Sequence, residues 1–146
     1  MKKFFGFKKN KCKQEITLPD IHSFSLSINN EVWGNYQIEN ADGVKTGIYV
    51  PANSSDYWEV ILKGGLLESA LLDIPIEDLG KYTVLVSFSN DDTSGETLPN
   101  VLIATGEIKS TGWDDIVVIV SVYNPTSFDM VFSDTHKLHL TLIENV

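Results

Sequence analysis

The sequence predicts a mainly β protein: an antiparallel β-sandwich or partly open barrel of about eight strands with one helix. Short apolar runs rich in β-branched residues recur along the chain, and such side chains favour the pleated backbone of a strand. Turn residues interrupt these runs every ~8–12 residues, a spacing typical of sandwiches and barrels. The runs do not alternate with long helical patterns, so a parallel sheet with crossover helices is not expected.

The run from Ile116 to Tyr123 is the strand around which the others are expected to pack. It reads Ile-Val-Val-Ile-Val-Ser-Val-Tyr, with apolar residues at odd and even positions alike, so we expect a central strand covered on both faces. A helix of this length is excluded because Pro125 would stop it. Burial of five of its Val and Ile side chains would contribute about 7–15 kcal/mol before the entropy cost of folding.

Alternation of apolar and polar residues predicts further strands on either side of this run. Asn29 and Asn30 are turn residues, so the first two of these strands are predicted to form a hairpin. Gly34 and Gly106 are candidates for β-bulges. Residues 76–79, between a proline and a glycine, are predicted to be a loop or a single helical turn. The last run is a candidate edge strand that could pair across a dimer. The further strands span residues 24–28, 32–38, 46–50, 82–89, 101–108, 128–132 and 138–143.

Helix and strand compete in the segment 57–72. Trp58, Ile61 and Leu62 have helical spacing, and Leu66, Ala70 and Leu71 continue the pattern roughly after a Gly-Gly pair at 64–65 interrupts it. The alternative is a strand over 57–62 in which the two glycines form the following turn. Helix is the preferred prediction for this segment.

Charge divides the chain into a basic tail, residues 1–14, and a single globular domain, residues 15–146. All 11 basic residues are lysines, and six of them lie in the first 13 residues, which contain no acid. The remaining 133 residues hold five lysines and 20 acids, a balance of −15. An acidic body repels nucleic acid and steers a basic protein partner towards itself. The absence of arginine removes the usual reader of phosphate and guanine, so no nucleic-acid partner is expected.

The first residues also bear on location. The lysines are not followed by the apolar core of ~7–15 residues that a secretory signal needs. No apolar run approaches the ~20 residues of a membrane helix. We therefore expect a cytoplasmic protein with no integral membrane segment. Cys12 is the only cysteine, so an internal disulfide is impossible.

Motifs for catalysis, metals or cofactors are not found, and none of these is predicted. His136 and His139 are three residues apart, which places them on opposite faces of a strand and unable to share a metal. The loop that begins at Asn90 matches the first positions of a calcium loop, but Val101 stands where the bidentate glutamate is needed. The serines lack the Gly-x-Ser-x-Gly context of a nucleophile elbow. The chain is therefore predicted not to be an enzyme.

The segment Asp78-Leu79-Gly80-Lys81-Tyr82 resembles the Asp-x-Gly-x-Tyr corner of immunoglobulin-like domains, although the cysteine pair of that family is absent. In that family the tyrosine hydroxyl bonds back to the chain where a strand begins. The resemblance implies a structural role for Tyr82, and an ordinary turn before a strand is the alternative.

Acidic loops with a neighbouring tryptophan are the predicted partner-binding residues. Carboxylates suit a basic partner, and aromatic side chains dominate binding hot spots. The tryptophan lies in a Gly-Trp-Asp-Asp turn, where we expect it to be exposed. The predicted contacts are Asp91, Asp92, Glu96, Trp113, Asp114 and Asp115.

The opening Met-Lys-Lys-Phe-Phe-Gly-Phe-Lys-Lys is similar to the start of many small, acidic, cytosolic immunity proteins that bacteria make against their own delivered toxins. Size and composition resemble that class as well. The resemblance implies a non-enzymatic protein that acts in competition between bacteria by binding a cognate toxin domain, typically a basic nuclease, and blocking its active site. The alternative is a β-barrel that binds a small molecule, or an enzyme with an unrecognised pocket.

Overall fold

The computed structural model describes residues 16–29, 34–65, 70–91, 101–110 and 115–146. Within these ranges the chain forms nine strands, and a 3-10 helix spans Ile76–Lys81. The predicted mainly β, antiparallel fold is confirmed. The strands are β1 (Ile21–Ser27), β2 (Tyr36–Asn40), β3 (Tyr49–Val50), β4 (Ser54–Lys63), β5 (Tyr82–Asn90), β6 (Ile103–Ser110), β7 (Asp115–Asn124), β8 (Met130–Val131) and β9 (His136–Glu144).

Two sheets face each other and enclose the core. One has the strand order β1-β9-β5, the other has the order β2-β4-β7-β6, and β3 pairs with β8 in a short ribbon. Trp58 of β4 contacts Phe88 of β5 and the nearby Phe132 edge-on, at centroid distances of 5.6 and 5.2 Å. This aromatic cluster joins the two sheets, and the edge-on geometry is one that aromatic rings prefer.

The strand predicted to be central, now β7, lies inside the four-stranded sheet between β4 and β6. Coverage on both faces was the wrong expectation, because each sheet of a sandwich packs on one side only. On the outer face Val117 is buried, but Ile119 is half-buried and Tyr123 is exposed. The inner face is fully buried and carries Ile116, Val118, Val120 and Val122.

The helix predicted for 57–72 is wrong, and the alternative strand is correct. In β4 the side chains of Trp58, Val60 and Leu62 are fully buried, whereas Tyr57 before them and Glu59 between them are exposed. That is the period of two expected of a strand with one buried face. β4 hydrogen-bonds to β2 on one side and β7 on the other, and this pairing decides the conformation. The described residues contain no α-helix; the predicted single turn at 76–79 is the 3-10 helix.

The hairpin predicted around Asn29 and Asn30 is also wrong. β1 and β2 belong to different sheets, since β1 pairs with β9 and β2 pairs with β4. The backbone N–H of Ser27 in β1 donates a hydrogen bond to the hydroxyl of Tyr36 in β2 at 3.1 Å. Asn29 therefore lies where the chain leaves the three-stranded sheet, and Asn30 lies outside the described residues.

The last strand, β9, is not an edge. It lies between β1 and β5, and its inward side chains Leu138, Leu140 and Leu142 are fully buried. The predicted alternation of buried and more exposed residues is correct. It shows that one face of β9 is buried, but it does not show that β9 lies at an edge of its sheet. Pairing of this strand across a dimer is therefore blocked on both sides.

Gly106 is not in a bulge, because the register of β6 with β7 continues through it without interruption. A Cβ at this position would lie 2.7 Å from Val84 Cγ1 and 2.9 Å from Val86 Cγ2. Glycine thus permits the close approach of β6 to β5 where the two sheets meet. Gly34 lies ahead of β2 in open space.

Candidate functional site

Two of the six predicted contact residues lie in the described part of the chain. Asp91 is exposed and follows β5; its backbone N–H donates to the carbonyl of Thr135 at 2.9 Å. Asp115 begins β7, half-buried, in register with Lys63 of β4. The others, Asp92, Glu96, Trp113 and Asp114, lie outside the described residues.

Asp91 and Asp115 lie at opposite ends of the sandwich. Ile108 near the end of β6 and Tyr82 at the start of β5 line the same cleft. The end of β6 therefore lies near the start of β5. Ser110, the last residue of β6, is opposite Ile116 of β7. The neighbouring Asp115 therefore lies at the end of the sandwich where β5 begins. Asp91 follows the other end of β5, a strand of 9 residues, or about 30 Å at ~3.3 Å per residue. These two acids do not form one surface.

Three glutamates lie in a single row across the outer face of the four-stranded sheet. Glu39 of β2 is opposite Glu59 of β4, Glu59 is opposite Ile119 of β7, and Ile119 is opposite Glu107 of β6. We call these four residues the acidic row. Neighbouring strands are about 4.8 Å apart, so the carboxylates project from positions separated by about 5 and 10 Å.

The pair at the start of the acidic row carries an electrostatic cost. Like charges directly opposite each other in a sheet are destabilising. Lys45 relieves part of this repulsion, because its Nζ lies 3.6 Å from Glu39 Oε2. Glu59 and Glu107 are exposed. A cationic group placed over the acidic row would therefore be attracted strongly.

Exposed apolar side chains lie on the same face, one and two residue rows away from the acidic row. Tyr57, Ile103 and Tyr123 are 63%, 58% and 39% exposed, and we call them the aromatic patch. Tyr123 is directly opposite Ile103, and Tyr57 is one strand away in the adjacent row. They border a shallow groove of about 260 Å³ that serine and threonine hydroxyls also line. Tyrosine is enriched at binding hot spots because it combines a large apolar ring with a polar tip.

The lysines of this face are separated from the aromatic patch. Lys109 of β6 is opposite Val117, and Lys63 of β4 is opposite Asp115. Both lysines lie on the far side of the acidic row from the aromatic patch. The outer face thus changes from mixed charge, through acidic, to aromatic along the strand direction.

The outer face of the three-stranded sheet is chemically different. Its described strand positions carry no carboxylate and are dominated by hydroxyls. Lys137 and His139 project from the central strand, where Lys137 Nζ donates to Ser27 Oγ at 2.9 Å and His139 Nε2 lies 2.6 Å from Ser89 Oγ. The hydroxyl residues of this face are Ser23, Ser25, Ser27, Thr83, Ser87, Ser89 and Thr141.

Two histidines contact serines, as the base of a nucleophile–base pair would. His139 Nε2 contacts the Ser89 hydroxyl. Nδ1 of the buried His136 lies 3.0 Å from the Ser133 hydroxyl and also accepts a hydrogen bond from the backbone N–H of Ser133 at 2.8 Å. Within the described ranges, no hydrogen bond joins a carboxylate to either ring, so neither pair has an orienting acid. Burial lowers the pKa of His136 and favours its neutral form. The two histidines lie on opposite faces of β9, as their spacing predicted.

The tyrosine-corner segment forms a small polar cluster. Asp20 Oδ2 accepts hydrogen bonds from the Tyr82 hydroxyl at 2.8 Å and lies 2.9 Å from His22 Nε2. The bonds from His22 and Tyr82 lower the pKa of Asp20, while burial together with Asp20 raises the pKa of Tyr82 to about 12. Tyr82 therefore stays protonated at neutral pH and ties the segment before β1 to the start of β5. This is a structural role, and its acceptor is a carboxylate side chain.

Comparisons with family models, curated proteins and solved structures gave no match. Groups of three or more potential metal-ligating side chains are absent from the described ranges. None of the helical segments in those ranges is long and apolar enough to cross a membrane.

The acidic row could not be predicted from the sequence, because it depends on strand pairing. Each of its glutamates occupies an outward position in a strand, and the alternation in β4 and β6 would have indicated this. Their alignment depends on which strands are neighbours and in which register, and local alternation does not determine either. The helix preferred over 57–72 removed Glu59 from consideration altogether.

Proposed function

We propose that this chain is a non-enzymatic protein-binding module that uses the outer face of the four-stranded sheet to bind a basic protein. One observation carries the proposal: the acidic row lies beside the aromatic patch on an exposed face. Carboxylates supply charge complementarity and fast association, and exposed aromatic side chains supply the apolar anchors of an interface.

The finer proposal is that the partner is a basic toxin domain and that the chain is its immunity protein. The formal net charge of −9 and the resemblance of the opening residues to immunity proteins support this. By lying over a basic active site, most simply that of a nuclease, the acidic row would exclude the substrate. The same surface would repel nucleic acid. Such a protein acts in the cytoplasm of the cell that makes the toxin.

A small-molecule-binding protein is the second candidate, favoured by a cleft of about 480 Å³ between β5 and β6. That volume is within the range of roughly 300–1,000 Å³ found for ligand sites. The polar residues that line this cleft are Tyr82, Thr83 and Glu107, and a small-molecule site requires such groups to converge for orientation and specificity. A thermal-shift screen of small metabolites separates the candidates, since a saturable shift favours the second.

The first experiment measures association with the domain encoded by the adjacent gene. The variant Glu59→Lys/Glu107→Lys reverses two charges of the acidic row, and Asp73→Lys/Asp134→Lys reverses two exposed acids elsewhere as the matched control. We expect the row variant to associate roughly 10-fold more slowly and to lose most of its salt dependence. The control should stay within about twofold of the wild type.

A third variant tests the loops that the sequence predicted. If Asp114→Lys/Asp115→Lys slows association and the row variant does not, the binding surface lies at that end of the sandwich and the assignment to the acidic row is wrong. If the domain shows no binding to the wild type and expression of the chain gives no protection against its toxicity, the immunity proposal fails.

A further inference from the structure

A cleft of about 480 Å³ opens where the two sheets meet, between the start of β5, the end of β6 and the 3-10 helix. Its lining includes the apolar side chains of Ile76, Leu79, Val84 and Ile108, which also pack against the core. Among the described residues that line the cleft, Glu107 is the one acidic residue, and its place on the outer face of β6 puts it at the mouth. Glu107 also ends the acidic row, so the cleft and the proposed binding face are continuous.

The charges around the cleft favour a cation. Tyr82 lines the cleft, and its hydroxyl donates to Asp20 at 2.8 Å. Asp78 and Glu144 are also close enough to act on Tyr82 electrostatically. The nearby Lys81 is paired with Asp78, Nζ to Oδ1, at 3.0 Å. The net field at the mouth of the cleft is therefore negative.

We propose that this cleft receives a long cationic side chain, a lysine or arginine, of the basic partner. The aliphatic stem would lie on the apolar walls, and the charged head would reach Glu107 at the mouth. Lysine and arginine have this division between an apolar stem and a charged head. A neutral apolar occupant would leave Glu107 without a counter-charge, and an anion would be repelled. The assignment to a partner side chain depends on the proposed function.

The test uses n-butylguanidinium as a probe of the side chain and the neutral n-butylurea as its matched isostere. Both are titrated into the full chain while amide and methyl NMR shifts are followed. We expect saturable shifts at Ile76 and Ile108 with n-butylguanidinium, and binding of n-butylurea weaker by at least about fivefold, because the ionic hydrogen bond is lost. The variant Glu107→Gln should weaken n-butylguanidinium by a similar factor, whereas Glu59→Gln, in the acidic row but outside the cleft, should not.

Three results overturn the inference: no saturable shift at the cleft, equal binding of the two probes, or an unchanged affinity in Glu107→Gln. This failure is distinct from failure of the proposed function. If the basic domain binds and responds to charge reversal in the acidic row, but the cleft does not respond to n-butylguanidinium, only the anchor is refuted. If the cleft binds the cation but no basic domain binds the chain, the proposed function is refuted, and with it the assignment to a partner side chain.

Discussion

Substitution of Gly106 by alanine should drive β5 and β6 apart. The new Cβ would lie 2.7 Å from Val84 Cγ1 and 2.9 Å from Val86 Cγ2, whereas carbon atoms prefer about 3.5–4.0 Å. Valine side chains are stiff at χ1, so the strands must shift to relieve the overlap. Overpacking of this kind costs about 1–3 kcal/mol, and the reduced entropy of the unfolded chain returns about 0.4–1 kcal/mol. We expect a net loss of about 1–2 kcal/mol in the free energy of unfolding.

Urea denaturation measures this loss as a lower midpoint at an unchanged m value. Gly80→Ala is the matched control, because a Cβ at Gly80 meets nothing within 4 Å; it should change stability by less than about 0.5 kcal/mol. The variant Val84→Ala lacks Cγ1, the atom nearest to the new Cβ. In that background Gly106→Ala should lower the free energy of unfolding by about 1 kcal/mol less than it does in the wild type. An equal cost in both backgrounds, or a cost no larger than that of Gly80→Ala, would refute the steric explanation.

Three further predictions concern polar groups. Asn124→Ala removes a fully buried amide whose Nδ2 donates to two backbone carbonyls and whose Oδ1 accepts two hydrogen bonds from Thr126. Urea denaturation should show that the free energy of unfolding falls by about 2–4 kcal/mol. A fall of less than about 1 kcal/mol would contradict the assigned hydrogen bonds. Because burial lowers the pKa of His136 in the folded state, the unfolded chain takes up the proton more readily, so this residue should lower the stability as the pH falls below about 6.5. His136→Asn keeps an acceptor for Ser133 and cannot titrate, so its stability relative to the wild type should rise between about pH 7.5 and 5.5; parallel profiles would exclude the effect. The pKa of Tyr82 is raised to about 12, so the absorbance of tyrosinate in a pH titration should rise near that pH. In Asp20→Asn this rise should occur at a lower pH. An unchanged titration would refute the contribution of the Asp20 carboxylate.

Local patterns predicted the strands of this protein more reliably than their neighbours. The β-branched run of β7 and the alternating leucines of β9 are visible without coordinates because the period of two is a local property. Which strands pair is a long-range property: β1 pairs with β9, with Leu26 opposite Leu138. The Asn29-Asn30 turn suggested a local hairpin that this distant pairing displaces.

The error at β4 has a specific physical cause. Trp58, Ile61 and Leu62 fit a helical face, but Trp58, Val60 and Leu62 fit a strand equally well, and a run this short does not discriminate between the two. Sheet pairing on both sides decided the outcome. Prediction of the proposed binding face would also have required the strand pairing. The acidic row exists only because three glutamates that are distant in sequence are aligned across four strands.

The position of β9 has a consequence for biosynthesis. While a ribosome is still translating residues 136–144, β1 and β5 have been made but lack the strand that lies between them in the finished sheet. Each then presents an unpaired backbone edge, which is a template for association with another chain. Closure between segments so distant along the chain is also slow. The nascent protein is therefore expected to need protection by a chaperone until its last described strand emerges.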